Sequence, residues 1–229
     1  MKILLKNNIE KVLEAISKAA KRSGRTLENI LLVAVTKNVP SEIIRKAYEY
    51  GLRNFGENRA QELRKKYEDL KDLEITWHFI GRIQTNKVKY FVPICEYVHS
   101  VWREEEVAKI SKRAGKIGKV QKVLIEVNVF GEETKAGLKL EDVEKFLRKC
   151  EKYENIFFEG LMTMAPYVEN PEEVRWGFRK LRELRDYLIK IDFKNAEIKE
   201  LSMGMSNDFE VAVEEGATMV RIGTAIFRR

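Results

Sequence analysis

The feature that most constrains this chain is a repeated alternation. Short apolar runs are followed by amphipathic stretches at helical spacing, and the pattern recurs along almost the whole sequence. Residues 30–37 (ILLVAVTK) are the clearest run. They are aliphatic on both faces and bounded by polar residues, as in a parallel strand covered on both sides. Further strands are expected at 52–57, 76–80, 96–101, 122–129, 157–164, 199–204 and 218–223. Helices are expected at 58–68, 84–91, 103–114, 141–151, 172–190 and 207–215. Another opens at Pro40 and Ser41 and stops at Gly51, with proline near the start and glycine past the end. Eight strand–helix units imply parallel pairing with right-handed crossovers, and fit a closed barrel better than an open sheet.

The expected fold class is therefore α/β, a single (β/α)8 TIM barrel. It departs from the simplest form twice. Residues 8–22 form an extra N-terminal helix, with Ile9, Val12, Leu13, Ile16, Ala19 and Ala20 on one stripe and Gly24 as its stop. The eighth strand is followed by few residues, so the last helix is curtailed. No linker-like stretch interrupts the pattern, and residues 1–229 are expected to make one domain.

Composition matters mainly through charge. Lys+Arg (43) less Asp+Glu (36) gives +7. A basic excess raises nucleic-acid binding as a class. Here the charges are interleaved, as in KRAGKIGKVQK and RKLRELRD, and no aromatic-basic stripe accompanies them. A solvated Lys/Glu-rich surface is the better reading, with no nucleic-acid partner expected. Cys95 and Cys150 form no CxxC pair, so neither a disulfide framework nor a zinc site is expected. The N-terminal apolar run is too short for a signal peptide, and no stretch is long enough to span a membrane. The expectation is a cytoplasmic protein with no metal.

In such barrels the chemistry lies at the C-terminal strand ends. Val33, Val35 and Lys37 share one face of the first strand if it runs that far. Lys37 would then point inward at the mouth, where lost hydration favours the neutral, nucleophilic amine. A strand-end lysine reaching out to water is the alternative. Opposite lie two segments suited to phosphate, LSMGMSND after the seventh strand and VRIGTA at the eighth. Ser206 or Asn207 would cap the helix that follows the first. Gly223 permits close backbone approach, and Thr224 adds a hydroxyl. An inward lysine and a phosphate corner together suit a ligand with both an aldehyde and a phosphate, pyridoxal 5′-phosphate (PLP).

The segments LLVAVTKNVP, FGENRAQE, WHFIGRIQTNK, VLIEVNVFGEETKAG, GLMTM and LSMGMSNDFEVAVEEGATMVRIGTAIF stand in this order along the chain. With them the sequence resembles the YggS/PROSC family of PLP homeostasis proteins, along almost its full length. The resemblance implies a barrel like the N-terminal domain of alanine racemases. It also implies PLP held as an aldimine on Lys37, with the SMGMS and RIGTA segments (Met203, Ser206, Gly223 and Thr224) around the phosphate. Arg221 shares parity with Gly223 and is expected to face the pocket. By similarity to the racemases it would donate to the pyridine nitrogen; binding the phosphate or a carboxylate is the other role open to it.

Asn58 is expected either to donate to the cofactor or to cap the following helix. His78 reads as a core or supporting residue, and His99 lacks a nucleophile partner. Lys135 is either a second amine for PLP or a solvated loop lysine. A racemase needs a base on each face of the substrate carbon, and no separate domain supplies a second one. The expected function is therefore binding, sequestering and delivering PLP, with no catalytic residues. PLP-dependent apoenzymes are possible recipients, and a monomer is expected. A single-domain, racemase-like PLP enzyme is the alternative.

Overall fold

The computed structural model describes residues 2–228 except Glu133 and Thr134. Eight strands close a barrel in sequence order: β1 (Leu31–Val35), β2 (Asn54–Glu57), β3 (Thr76–Phe79), β4 (Cys95–Val101), β5 (Gln121–Glu126), β6 (Ile156–Met162), β7 (Ala196–Ser202) and β8 (Met219–Ile222). Every neighbouring pair is parallel, and β8 closes on β1 with Val33 opposite Arg221. Closure removes both sheet edges, so no strand is left with an unpaired flank.

The helices that follow are α2 (Ser41–Glu49), α3 (Ala60–Asp69), α4 (Val88–Phe91), α5 (Glu104–Gly115), α6 (Val143–Cys150), α7 (Arg175–Leu188), α8 (Phe209–Glu214) and α9 (Thr224–Phe227). Their inward faces supply the main core between helices and barrel. Ile44, Leu63, Phe91, Ile110, Leu147 and Phe178 are all fully buried there. Gly24 and Gly51, expected as helix stops, adopt φ of +70° and +97°, the left-handed geometry that favours glycine.

The extra helix α1 (Lys2–Arg22) begins earlier than the stripe from Ile9 suggested. Leu5, four residues before Ile9, extends the buried face by one turn. α1 packs against α2, α8 and the one-turn α9, covering the wall where the final helix is short. Asn8 Nδ2 donates to the Ile226 carbonyl at 3.1 Å, and Arg22 pairs with Glu210 and Glu214 on α8.

Several strands end before the positions expected for them. β1 stops at Val35 and not at Lys37, β5 at Glu126, and β6 at Met162. The residues beyond leave the ladder to form the loops of the mouth. β7 instead starts earlier, at Ala196, where buried Ala196 and Ile198 alternate with exposed Glu197 and Lys199. No helix among the described residues is long and apolar enough to cross a membrane.

β6 and β7 approach closely at Gly160. A Cβ on Gly160 would lie 2.1 Å from the Glu200 carbonyl oxygen. Backbone cannot retreat as a flexible side chain can. Gly160→Ala is therefore expected to lower stability by about 1–3 kcal/mol. The loss would show as a lower denaturation midpoint with an unchanged slope.

Candidate functional site

The C-terminal mouth holds a cavity of about 610 Å³, lined among others by Val35, Asn58, Met164, Ser206, Arg221, Gly223 and Thr224. The fold thus brings together Asn58, Ser206, Arg221, Gly223 and Thr224 from the loops after β2 and β7 and from the end of β8. Met203 is not among them. It is fully buried in the core between helices and barrel, and Met205, two residues on, lines the cavity instead.

Lys37 also departs from expectation. Because β1 ends at Val35, strand parity no longer controls the next residues. Val33 and Val35 do face inward, but Lys37 is exposed and is not among the cavity-lining residues. It sits in a turn closed by Val39 N–H donating to the Thr36 carbonyl at 2.8 Å, followed by Asn38 at φ +59°. Enclosure in a dry mouth therefore does not describe this lysine.

What fixes the turn is a buried cluster beneath it. The Lys66 ammonium donates to the Thr36 carbonyl at 2.6 Å and to Glu57 Oε1 and Glu62 Oε1, each at 2.8 Å. All three ammonium protons are thereby used. Thr36 Oγ1 donates to Glu57 Oε1 at 2.9 Å, and Asn38 N–H donates to Glu62 Oε1 at 3.0 Å. Both neighbours of Lys37 are thus pinned while its own side chain stays free to move. Burial pushes the Glu57 carboxyl above its ordinary range, against the pull of Lys66.

The loop after β7 is stitched differently from the cap expected for Ser206 or Asn207. Ser206 Oγ accepts from Ala225 N–H at 3.3 Å, joining this loop to α9. Asn207 Nδ2 donates to the Val168 carbonyl at 2.8 Å, and Asp208 Oδ1 accepts from Met205 N–H at 2.6 Å. The N–H groups of Ser206, Asn207, Gly223 and Thr224 have no backbone acceptor among the described residues. A Cβ on Gly223 would meet the Val35 carbonyl oxygen at 3.1 Å, tighter than ordinary contact, so glycine suits this close approach of β8 to β1. Asn58 Oδ1 is a buried acceptor without a partner. Its backbone packs on Gly81, where a Cβ would lie 2.0 Å from the Asn58 oxygen.

Arg221 is buried at the cavity floor. Nη1 donates to Ser202 Oγ at 2.5 Å and Nη2 to the Thr163 carbonyl at 2.9 Å. Burial lowers its pKa to about 10, opposed by Asp208 and Glu126, so it stays cationic at neutral pH. Behind it, Ser202 meets His99, His99 meets His78, and His78 meets Asn54. The sequence placed His78 in a supporting role but gave no sign of this chain. Its members come from β2, β3, β4, β7 and β8 and meet only through barrel register. Lys135 is half-buried and pairs with Glu132 at 2.8 Å. Glu133 and Thr134 of the same loop lie outside the described residues.

The cavity's polarity fits PLP. Unengaged N–H groups suit a phosphate, the Asn58 acceptor suits a hydroxyl, and Arg221 keeps three of its five donors free of these two bonds.

Comparison with known proteins agrees. Residues 13–228 match the family described as alanine racemase, N-terminal domain. A pyridoxal phosphate homeostasis protein of Aquifex aeolicus is 53% identical, over 96% of this chain and 95% of its own. A solved protein from Bifidobacterium adolescentis superposes with a TM-score of 0.93 at 34% identity, covering 99% of this chain and 95% of that one. PipY of Synechococcus elongatus, solved with PLP bound, gives 0.80 at 33% identity, covering 93% and 99%.

At the end of β5, burial raises the Glu126 carboxyl to about 7, opposed by Arg221. An ordinary carboxyl titrates near ~4.3. The neutral form therefore suits the fold, and its contribution is lost as pH rises through about 7. Linkage puts that loss at about 1 kcal/mol between pH 6 and pH 8. Glu126→Gln should remove this part of the pH dependence in denaturation measured at the two values.

A PLP-compatible cavity on a closed (β/α)8 barrel, with full-length relatives of this identity, decides the assignment: the chain belongs to the pyridoxal phosphate homeostasis proteins of the alanine racemase N-terminal domain family.

Proposed function

We propose that residues 1–229 form one PLP-binding barrel domain that holds PLP at its C-terminal mouth and keeps it sequestered for delivery. The observation that carries this reading is the convergence of Arg221, the unpartnered Asn58 acceptor and the unengaged N–H groups of Ser206, Gly223 and Thr224 on one cavity. When bound, PLP supplies a reactive aldehyde, to which a primary amine bonds with loss of water. Lys37 is the amine. Its turn is anchored through Thr36 and Asn38, and its four-carbon stem gives the amine reach. Its exposed resting position lets PLP be loaded and released without opening the barrel.

In this reading the loop after β7 and the start of α9 cradle the phosphate. Arg221 faces the ring nitrogen, and a donor-only guanidinium there keeps that nitrogen unprotonated. Such a ring is a poor electron sink, which suits storage better than carbanion chemistry. The names of the relatives support this reading over the racemase-like one. Recipients are PLP-dependent apoenzymes, and the barrel works as a monomer in the cytoplasm. Both cysteines, Cys95 and Cys150, are free, as a reducing compartment requires.

Borohydride reduction of protein incubated with PLP, followed by peptide mass mapping, tests the central assignment. Label should fall on Lys37, and Lys37→Ala should abolish the visible absorbance of the bound cofactor. Label confined to other lysines would reject it. Sustained isotope exchange at the α-carbon of an amino acid, lost in Lys37→Ala, would favour the enzyme.

A further inference from the structure

The polar chain behind Arg221 has a direction, and the direction follows from its first member. A guanidinium only donates. Its Nη1 contact at 2.5 Å therefore makes Ser202 Oγ an acceptor. Ser202 is fully buried, and its hydroxyl has one other polar neighbour among the described residues, His99 Nδ1 at 2.8 Å. The hydroxyl proton must go there, or a buried donor is left unpaired.

His99 Nδ1 is then an acceptor. Both histidines are fully buried, and burial holds His99 well below its ordinary pKa and His78 at about 3, so both rings are neutral. A neutral ring that accepts at one nitrogen donates at the other. His99 Nε2–H thus donates to His78 Nδ1 at 3.0 Å, and His78 Nε2–H donates to Asn54 Oδ1 at 3.1 Å. The Tyr97 ring lies nearly parallel to His78, 5.4 Å away between centroids.

We propose that Arg221, Ser202, His99, His78 and Asn54 form a one-way hydrogen-bond relay through the barrel, in which both histidines carry the Nε2 proton and act as positioning residues for the Arg221 guanidinium. The relay is a property of the protein alone. Its consequence for PLP rests on the proposed function above.

Two measurements separate these claims. Nitrogen-15 spectra of histidine-labelled, PLP-free protein at pH 7 should show both rings neutral with Nε2 protonated. A protonated Nδ1 on His99 would overturn the relay, whatever the protein binds.

The second measurement is PLP affinity with the absorbance of the bound cofactor. His99→Leu should weaken binding about tenfold, the low end for loss of an orienting partner, and move the band. His99→Asn keeps an acceptor near the Nδ1 position and should stay within about threefold of wild type. A role confined to packing would lower the melting temperature without moving the band. If His99→Leu does not fold, Ser202→Ala gives the same readouts. Unchanged affinity and band position in a folded variant would overturn the positioning role. Failure of the wild type to bind PLP would overturn the functional reading and leave the relay to the nitrogen-15 result.

Discussion

A positive charge inside a closed barrel is the condition around which this interior is organised. Arg221 is held at the top of a space that would otherwise be filled with aliphatic layers, and a buried cation without partners is very costly. The fold meets that cost with dipoles more than with counter-charges. Ser202 and the Thr163 carbonyl take two guanidinium protons directly, while Asp208 and Glu126 act only through space. Below them the barrel floor is apolar, with Leu124, Met162 and Met219 packed together. Arg221, Ser202, His99, His78 and Asn54 thus make one connected polar thread above this apolar cluster.

The turn at the end of β1 solves the opposite problem. Under the proposed function the amine at this turn has to move, and its neighbours must not. Lys66 sits almost dry between Glu57, Glu62 and the Thr36 carbonyl. Breaking such a buried pair leaves an uncompensated charge, which is why these arrangements are rigid even when they add little net stability. Lys37 stands above that rigid base in water. Restraint of Thr36 and Asn38 fixes where the side chain starts, and exposure leaves its reach unrestricted.

Much of this was legible from residue order. Eight apolar runs at helical separations determine a barrel, and the glycines at 24 and 51 mark helix ends because only a left-handed residue fits there. The mouth was legible as a set of strand ends, which located Asn58, Ser206, Arg221, Gly223 and Thr224. Two kinds of information were not. The first is where a strand stops. Period-two parity carried Lys37 inward, but the ladder ends at Val35 and the parity ends with it. Met203, which came from the resemblance and not from parity, is a core residue, and Met205 lines the cavity instead. The second is register between distant strands. Nothing local in TWHF or EYVHS shows that His78 and His99 touch, since the 3.0 Å contact depends on the offset between β3 and β4.

The net charge of +7 gains meaning only when it is divided by place. Much of the basic surface is answered locally. Glu215 alone gathers Arg175, Arg179 and Arg182 along α7, and Glu214 bridges Arg22 and Arg175. Glu215 is itself buried while its arginine partners reach the surface, so these positive charges are neutralised where they stand. A negatively charged ligand is therefore not selected by the overall field. In the proposed site selection falls to the mouth, where unengaged N–H groups and one buried guanidinium line a cavity of about 610 Å³. A buried guanidinium and fixed N–H donors are screened less than charges spread over the surface, so a few such groups at the mouth count for more than the net charge.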